Sequence, residues 1–497
     1  MKMKIKSIFF FIFFIFVGSC ILPGQELTAI VKDSLTQKSI PFASIYLNSG
    51  TGVVANEEGR FRLIYDTLNE NDSLFVSCMG YKTLGVPFSS VKDSIFYLNP
   101  KTIELNSIIL SNKQLDVKDI LKEIQKDIPE KYELGLTEKK LFFRETGSQE
   151  FKSLEVEIKK TSIDEFNQVF WDSTLYKIPK KNSWYFELIG NLNGDYNDKN
   201  QKLELIRALE LEDKEKTAIF ENIEKLFDTI LKQNVKSNSF FKVRSGIIGG
   251  KVEADEINDT SKDTLTSKQK LQKEKEAFLK WRKRVLSNLV SSLFDEEKLD
   301  LAILKKASKY KFTQTDFTYL GDTPVYIINF NPNGNADYKG KIYVDADKLA
   351  LIRIEYKNIQ PIRNFSMFGV SFKEDLREVV IQFKKSASNK YSLEYFDFNS
   401  SFEGGFDRPL VITEKNKIVK GRNKQNQLKM DLNVVNRNNQ RYQLVVFETI
   451  PLNTNIFEDL QEKAKILPVN RITYDPDFWK GYMIIEPNAA IKKFRVK

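Results

Sequence analysis

Acidic pairs are the residues best suited by type to do chemistry in this chain. Asp345 and Asp347 stand in "YVDADK", Glu374 and Glu378 bound "EDLRE", and Glu57 and Glu58 lie in "NEEGR". Two carboxylates at a set distance can cleave a glycosidic bond as acid and base, and clustered carboxylates can hold Ca²⁺. A calcium loop needs further oxygen ligands and a glutamate at fixed spacing downstream, and none is in register here. Solvated turns account for all three pairs better. "SGIIGG", Ser245–Gly250, is glycine-rich but lacks the lysine of a phosphate-binding loop. There is no G-x-S-x-G elbow and no dinucleotide fingerprint. Histidine is absent altogether, which excludes a Ser-His-Asp triad, a Cys-His pair and the usual catalytic zinc sites. The two cysteines, Cys20 and Cys78, are too few for a zinc cluster or a disulfide framework. The expectation is a protein with no catalytic residue, no metal site and no cofactor.

Lys and Arg exceed Asp and Glu by 77 to 67 over 497 residues. That surplus is mild, and a nucleic-acid partner is not expected because such proteins gather their charge into a stripe. Only "KWRKR", Lys280–Arg284, is a basic cluster, and acidic residues flank it. It reads as the wet face of a helix, with contact to anionic lipid headgroups as the competing reading.

The chain opens "MKMKIKSIFFFIFFIFVGSC". Three lysines precede an apolar run, Ile8 to Val17, that is far shorter than the ~20 residues a membrane span needs. This is the pattern of a secretory signal peptide over residues 1–25. "VGSC" resembles a bacterial lipobox, which makes Cys20 a lipidation candidate; an acyl chain there would anchor the protein to a membrane. Cleavage near Gln25 would instead release a soluble periplasmic protein. The expected location is the periplasm or the outer membrane.

From residue 26 to about residue 110, short alternating strands are broken by turns, the mark of a β-sandwich or barrel. In "TGVVANEEGRFRLIY", Asn56 and Gly59 suit a turn. Phe61 and Leu63 are then expected inward, with Arg60 and Arg62 toward water. "VKDSLTQKSIPFASIYL", "GVVANEEGRFRL" and "DSLFVSCMGYKTL" resemble the carboxypeptidase-regulatory-like domain of exported Bacteroidetes-type proteins. That resemblance implies a transthyretin-like, seven-stranded, non-catalytic sandwich.

Residues 111–308 read as a mixed α/β middle region. Asp116 is an expected N-cap for a helix carrying Ile120, Leu121, Ile124 and Ile128, ended by Pro129. A second helix, about Asp213–Gln233, bears an apolar stripe through Ile219, Phe220, Ile223, Leu226, Phe227, Ile230 and Leu231. Packing against a sheet is expected for it, a partner or membrane face being the other reading. A third becomes amphipathic from Phe278 through Trp281, Leu286 and Leu293.

Residues 309–497 read as about eight antiparallel strands and a tail. "YKGKIYVDADKLALIRIEYK" resembles the hairpin of LolA-like half-barrels in bacterial envelope proteins, whose inner face shelters lipid. The ending "YDPDFWKGYMIIEPNAAIKKF" resembles the tail of exported Bacteroidetes-type proteins that begin with the same regulatory-like domain. The fold class expected is α+β, mostly β: an N-terminal seven-stranded sandwich, a helical middle segment and a C-terminal curved antiparallel sheet. The leading functional reading is a non-catalytic cell-envelope protein that binds a partner protein or a glycan. The alternatives are a carrier or sensor of lipid or another apolar ligand in the C-terminal sheet, which needs an apolar cavity of several hundred Å³, and a histidine-free carboxylate hydrolase.

Overall fold

The computed structural model describes residues 25–48, 52–65, 72–91, 94–101, 116–236, 238–246, 248–253, 266–386, 388–419, 421 and 423–495. Residues 1–24, which hold nearly all of the expected signal peptide and the lipidation candidate Cys20, lie outside the described residues.

Seven strands come first: β1 Gln25–Asp33, β2 Ser44–Leu47, β3 Gly52–Val54, β4 Arg60–Tyr65, β5 Ser73–Ser77, β6 Leu84–Pro87 and β7 Ile95–Leu98. They pair as a three-stranded sheet, β4-β1-β7, and a four-stranded sheet, β3-β2-β5-β6. Val31, Phe61 and Leu63 from the first and Ile45, Leu74 and Val76 from the second are buried in one cluster. The period of two in β4 does this, because successive side chains leave opposite sides of the strand. The turn before β4 closes on Asn56, whose Oδ1 accepts from the backbone N–H of Glu58 and of Arg60, both at 2.9 Å. Gly59 has φ +74°, and a Cβ there would come within 2.8 Å of the Val31 carbonyl oxygen.

The remaining strands are β8 Thr137–Thr161, β9 Lys181–Gly194, β10 Gln201–Leu211, β11 Ser239–Ser245, β12 Ile248–Glu253, the short hairpin β13 Phe294–Asp295 and β14 Lys298–Leu299, β15 Tyr310–Leu320, β16 Thr323–Pro332, β17 Tyr338–Asp345, β18 Leu351–Asn358, β19 Arg363–Met367, β20 Val370–Lys385, β21 Tyr391–Asn416, β22 Lys424–Pro451 and β23 Val469–Arg471. All but β13 and β14 join one sheet, which among the described residues has 14 strands. Its order is β15-β16-β17-β18-β20-β21-β22-β8-β9-β10-β23, with β11, β12 and β19 attached beside it. The fold is therefore mostly β, with open sheets and few helices. The boundary expected at residue 308/309 falls inside this sheet, because β8 of the middle region pairs with β22 of the C-terminal region from end to end. A pairing across almost 300 residues leaves no local mark in the sequence.

Four helices of eight or more residues are described: α1 Val117–Ile124, α2 Gln168–Lys177, α3 Lys214–Asn234 and α4 Ser267–Ser291. Asp213 caps α3, accepting from the backbone of Glu215 and Lys216. Asp116 occupies the N-cap of α1, but its side chain makes no capping bond.

The long strands are buried on both faces toward one end, the start of β8 and β21 and the end of β22. Leu141 and Phe143 of β8 face a core shared with α1 and α4, while Phe142 faces a core shared with the N-terminal sheets and the C-terminal tail. In β22, Leu444 and Val446 face the helical side, and Val445 and Phe447 the other. About 45 Å further along β22, at ~3.4 Å per residue, Leu428, Met430 and Leu432 form a separate distal cluster beneath α2 and α3.

Several charged positions expected in water are not there. Arg62 is half-buried and its Nε lies 2.7 Å from Glu486 of the tail. Arg282 of "KWRKR" is buried, its Nη1 2.7 Å from Glu145 and its guanidinium 3.2 Å from the centre of the Phe186 ring. Its neighbour Trp281 is 42% exposed. The helix presents the cation to the sheet because Glu145 and an aromatic face wait there, which helical periodicity alone does not reveal.

Candidate functional site

The distal cluster is hollow. A cavity of about 380 Å³ lies between the sheet and the helices α2 and α3. Val156 of β8, Ile412 of β21 and Met430 of β22 line it from the sheet, and Trp171, Leu175, Phe227 and Leu231 line it from the helices. Well-packed interiors hold few voids larger than a water molecule. Three polar residues border it, and their bonds are made elsewhere. Glu414 accepts from the Ser239 hydroxyl at 2.6 Å and from the Lys236 backbone at 2.9 Å. Asn426 donates to Glu414, and Gln427 to Thr413. Trp171 differs. Its ring packs against Phe166, Phe170 and Phe227, and its indole nitrogen is buried without an acceptor among the described residues. A buried donor left unpaired costs about 1–3 kcal/mol.

Helix α3 buries only part of its apolar stripe. Phe227, Ile230 and Leu231 of the expected stripe pack in the distal cluster, but Phe220 is 39% exposed and Leu226 43%. Core packing describes only the C-terminal half of this helix.

A second region lies on the opposite face of the sheet, beside the N-terminal strands. Its cavity, about 570 Å³, is bordered by Phe42 and by residues of β16, β17, β18, β20, β21 and β22. An adjoining cavity of about 490 Å³ shares Phe42 and Glu355. Lys339 and Lys341 of β17 and Lys357 of β18 project here; all three are exposed. Lys339 pairs directly across the strands with Lys357, and Lys341 with Glu355. None of the three side chains has a hydrogen bond or ion pair among the described residues. The acids alongside are mostly occupied. Asp397 receives both Nε and Nη2 of Arg441, at 2.9 and 2.6 Å, and the Tyr395 hydroxyl at 2.9 Å. Burial works against the charge of Arg441, but these bonds outweigh it and raise its pKa above the usual range. Glu355 is held by Arg353 at 3.1 Å and by the Tyr343 hydroxyl at 3.0 Å. Burial first, and then Glu355, push the Tyr343 phenol up. Among the described residues, Glu378 accepts from the Asn399 amide alone, at 3.2 Å.

The acidic pairs singled out from sequence do not converge. Asp345 is buried in the β17–β18 turn, accepting from the backbone of Asp347 and Lys348 and from the Tyr391 hydroxyl, so the turn expected there is the observed one. "EDLRE" and "NEEGR" are not simply solvated. Glu374 is buried on Arg377. Asn56 is buried and donates to the Glu486 carbonyl of the tail, while Glu57 pairs with Arg441 and receives the Asn488 amide. Burial raises the Glu57 pKa, but Asn488 and Arg441 together hold it below the ordinary carboxylate value. "SGIIGG" is the β11–β12 hairpin. Cys78 is a free thiol whose pKa burial pushes up to about 11. Among the described residues, no three acidic or cysteine side chains come together as a metal site, and no helix is long and apolar enough to cross a membrane.

Sequence reasoning passed over both regions. The lysines alternate visibly in "YKGKIYVD", but their lack of acid partners depends on which strands lie alongside. The cavity depends on residues 156, 171, 227, 412 and 430, whose proximity no local pattern encodes.

No family model matches the chain, and no curated protein matches it. Among solved structures, the complex of Pseudomonas aeruginosa MucA and MucB aligns with 65% of this chain and 93% of that one, at 8% identity and a TM-score of 0.17. A putative membrane-associated protein of unknown function from Bacteroides fragilis aligns with 84% of this chain and 97% of that one, at 9% identity and a TM-score of 0.12. Scores this low do not establish a shared fold.

Proposed function

We propose that this protein is an exported, non-catalytic binding protein of the cell envelope that holds an acyl-chain amphiphile in the distal cavity. In this reading the seven N-terminal strands are a regulatory-like sandwich, the long sheet is a half-barrel, and Cys20 is a lipid anchor. One observation carries the ligand assignment: an apolar cavity of about 380 Å³ walled in part by Trp171, whose indole nitrogen is buried without an acceptor among the described residues. Apolar walls suit methylene groups, each worth about 0.8 kcal/mol on burial. The indole N–H suits a carbonyl or carboxylate oxygen at the end of the chain. The volume is on the order of a dozen water molecules' share of the liquid, room for a chain of medium length.

The absence of histidine and the occupation of Asp397 and Glu355 by arginines favour binding over turnover. A general acid or base must be free to exchange a proton with substrate, and these two are committed.

The test is calorimetric titration of the full chain with sodium laurate and with 1-lauroyl-lysophosphatidylcholine, both below their micellar concentrations. Binding of either is expected, and the pair distinguishes a free fatty acid from a lipid acyl chain. Trp171→Phe, which keeps the ring and removes the donor, is expected to weaken it 5- to 10-fold. Met430→Trp fills the cavity and is expected to abolish it; Val156→Phe serves if that variant does not melt cooperatively. No binding of either probe, or unchanged binding in a folded cavity-filling variant, overturns the assignment.

A further inference from the structure

On the other face of the sheet, we infer a second binding site, for an anionic oligosaccharide, in the basic trough beside the N-terminal strands. It stands independently of the acyl-chain reading.

The observation is a set of cations arranged against their own interest. Lys339 and Lys357 are directly opposed on neighbouring strands. Like charges in that relation repel and destabilise a sheet. Lys341 stands two residues from Lys339 on the same face, opposite a glutamate that Arg353 and Tyr343 already hold. Lys311 of β15, exposed and likewise without a partner among the described residues, pairs with Asn331 on the far side of the same row. Adjacent strands lie about 4.8 Å apart, so the cations are spread over roughly 14 Å of sheet. Against them stands one acid without an arginine or lysine bound to it among the described residues, Glu378, which lies directly across from Lys357 on β20. The arginines nearby are all used: Arg441 on Asp397 and Glu57, and Arg353 on Glu355. The lysines therefore face a cavity of about 570 Å³ with charge to spare, and a multivalent anion is the chemistry that would balance it.

The shape favours a glycan over an acidic peptide. Extended peptides dock by adding a strand to a sheet edge or by laying an apolar face in a groove. This floor is the face of a sheet, with its backbone groups already paired on both sides. The side chains on offer beside the lysines are amides, Asn329, Asn331 and Asn399, and one aromatic wall, Phe42. Amides can both donate to and accept from hydroxyls, and lysine ammonium groups suit carboxylate or phosphate substituents. Phe42 is held at φ +58°, a strained conformation for a bulky residue, with its ring stacked 5.3 Å from Tyr395. Strain of this kind collects where a side chain must be aimed.

The probe is a short oligogalacturonate, a carboxylated glycan, titrated into the full chain, with dextran as the neutral glycan and poly-L-glutamate as the acidic polypeptide. Oligogalacturonate is expected to bind, with affinity falling steeply between 50 and 300 mM salt as the lysines are screened, and dextran is expected not to. The double variant Lys339→Glu, Lys357→Glu is expected to weaken binding at least 10-fold while laurate binding at the distal cavity is unchanged. These side chains are exposed and unbonded, so the variant should fold. Failure of oligogalacturonate to bind, undiminished binding by the double variant, or binding of poly-L-glutamate in place of the glycan overturns the site.

Discussion

Two groups of charges share the outer face of the large sheet. One clasps the C-terminal tail. Arg144 and Glu187 are both almost wholly buried and meet at 2.6 Å; Glu187 also accepts from the Trp479 indole at 2.5 Å, and Arg144 donates to the Ile485 carbonyl at 2.7 Å. Arg62 reaches Glu486, and Glu57 bridges Arg441 and Asn488. In the other group, a few strands away, Lys339, Lys341 and Lys357 have no partner among the described residues. Buried charge is costly unless paired and hydrogen-bonded, and every charge of the clasp is paired, so the clasp is architecture. Exposed charge needs no partner to exist, and a sheet that crowds three such cations on adjacent strands is shaped by something outside the fold.

The sharpest way to break this contrast is to cut the clasp. Trp479 is fully buried among Phe142, Phe478 and Tyr482. Trp479→Ala removes that packing and one donor to Glu187, and is expected to cost about 3–5 kcal/mol in urea unfolding. Oligogalacturonate binding by the fraction still folded should not change. A loss below about 1 kcal/mol would mean that the tail is not structural, and the division between the two groups would fail.

How far the sequence foretold this division is instructive. The inward placement of Phe61 and Leu63 was legible from period two, the turn at Asp345 from its residue types, and the start of α3 from Asp213. These depend on neighbours in the chain. The fate of Arg62 and Asn56 was not legible, because what receives them is Glu486, over 400 residues away. Arg282 reads as solvated for the same reason: Glu145 lies 137 residues earlier. The candidate sites were the least legible of all. A cavity is defined by what does not fill it, and an unpaired lysine by what does not approach it.

Lys139 refines the contrast as a buried cation without an acid. Its ammonium donates to the Thr137 hydroxyl, lies 4.8 Å from the centre of the Tyr196 ring, and is 1% exposed. Burial lowers its pKa to about 8. The unfolded chain keeps this proton up to the ordinary lysine value near 10.4. Between those values the unfolded state binds more protons, so stability rises with pH through that window, and below about pH 8 the full burial penalty applies. Lys139→Met is therefore expected to stabilise the protein at pH 7, by up to about 3 kcal/mol, and to flatten its stability between pH 8 and 10. An unchanged slope in denaturant melts across that range would show that the amine is reached by water.

The smallest effect tests the trough most directly. If Lys339 and Lys357 are held together only by the fold, exchanging one sign should relieve the sheet. Lys339→Glu replaces a repulsive cross-strand pair by an attractive one, which is expected to add about 0.2–1 kcal/mol. The gain should be visible at 20 mM salt and should vanish by about 1 M, where screening shortens to roughly 3 Å. A structural role for the lysine predicts the opposite sign, because its loss would then cost stability at every salt concentration. Stability gained while oligogalacturonate binding is lost is the combination a recognition site produces: the wild-type sheet then keeps a small repulsion that serves a ligand and not the fold.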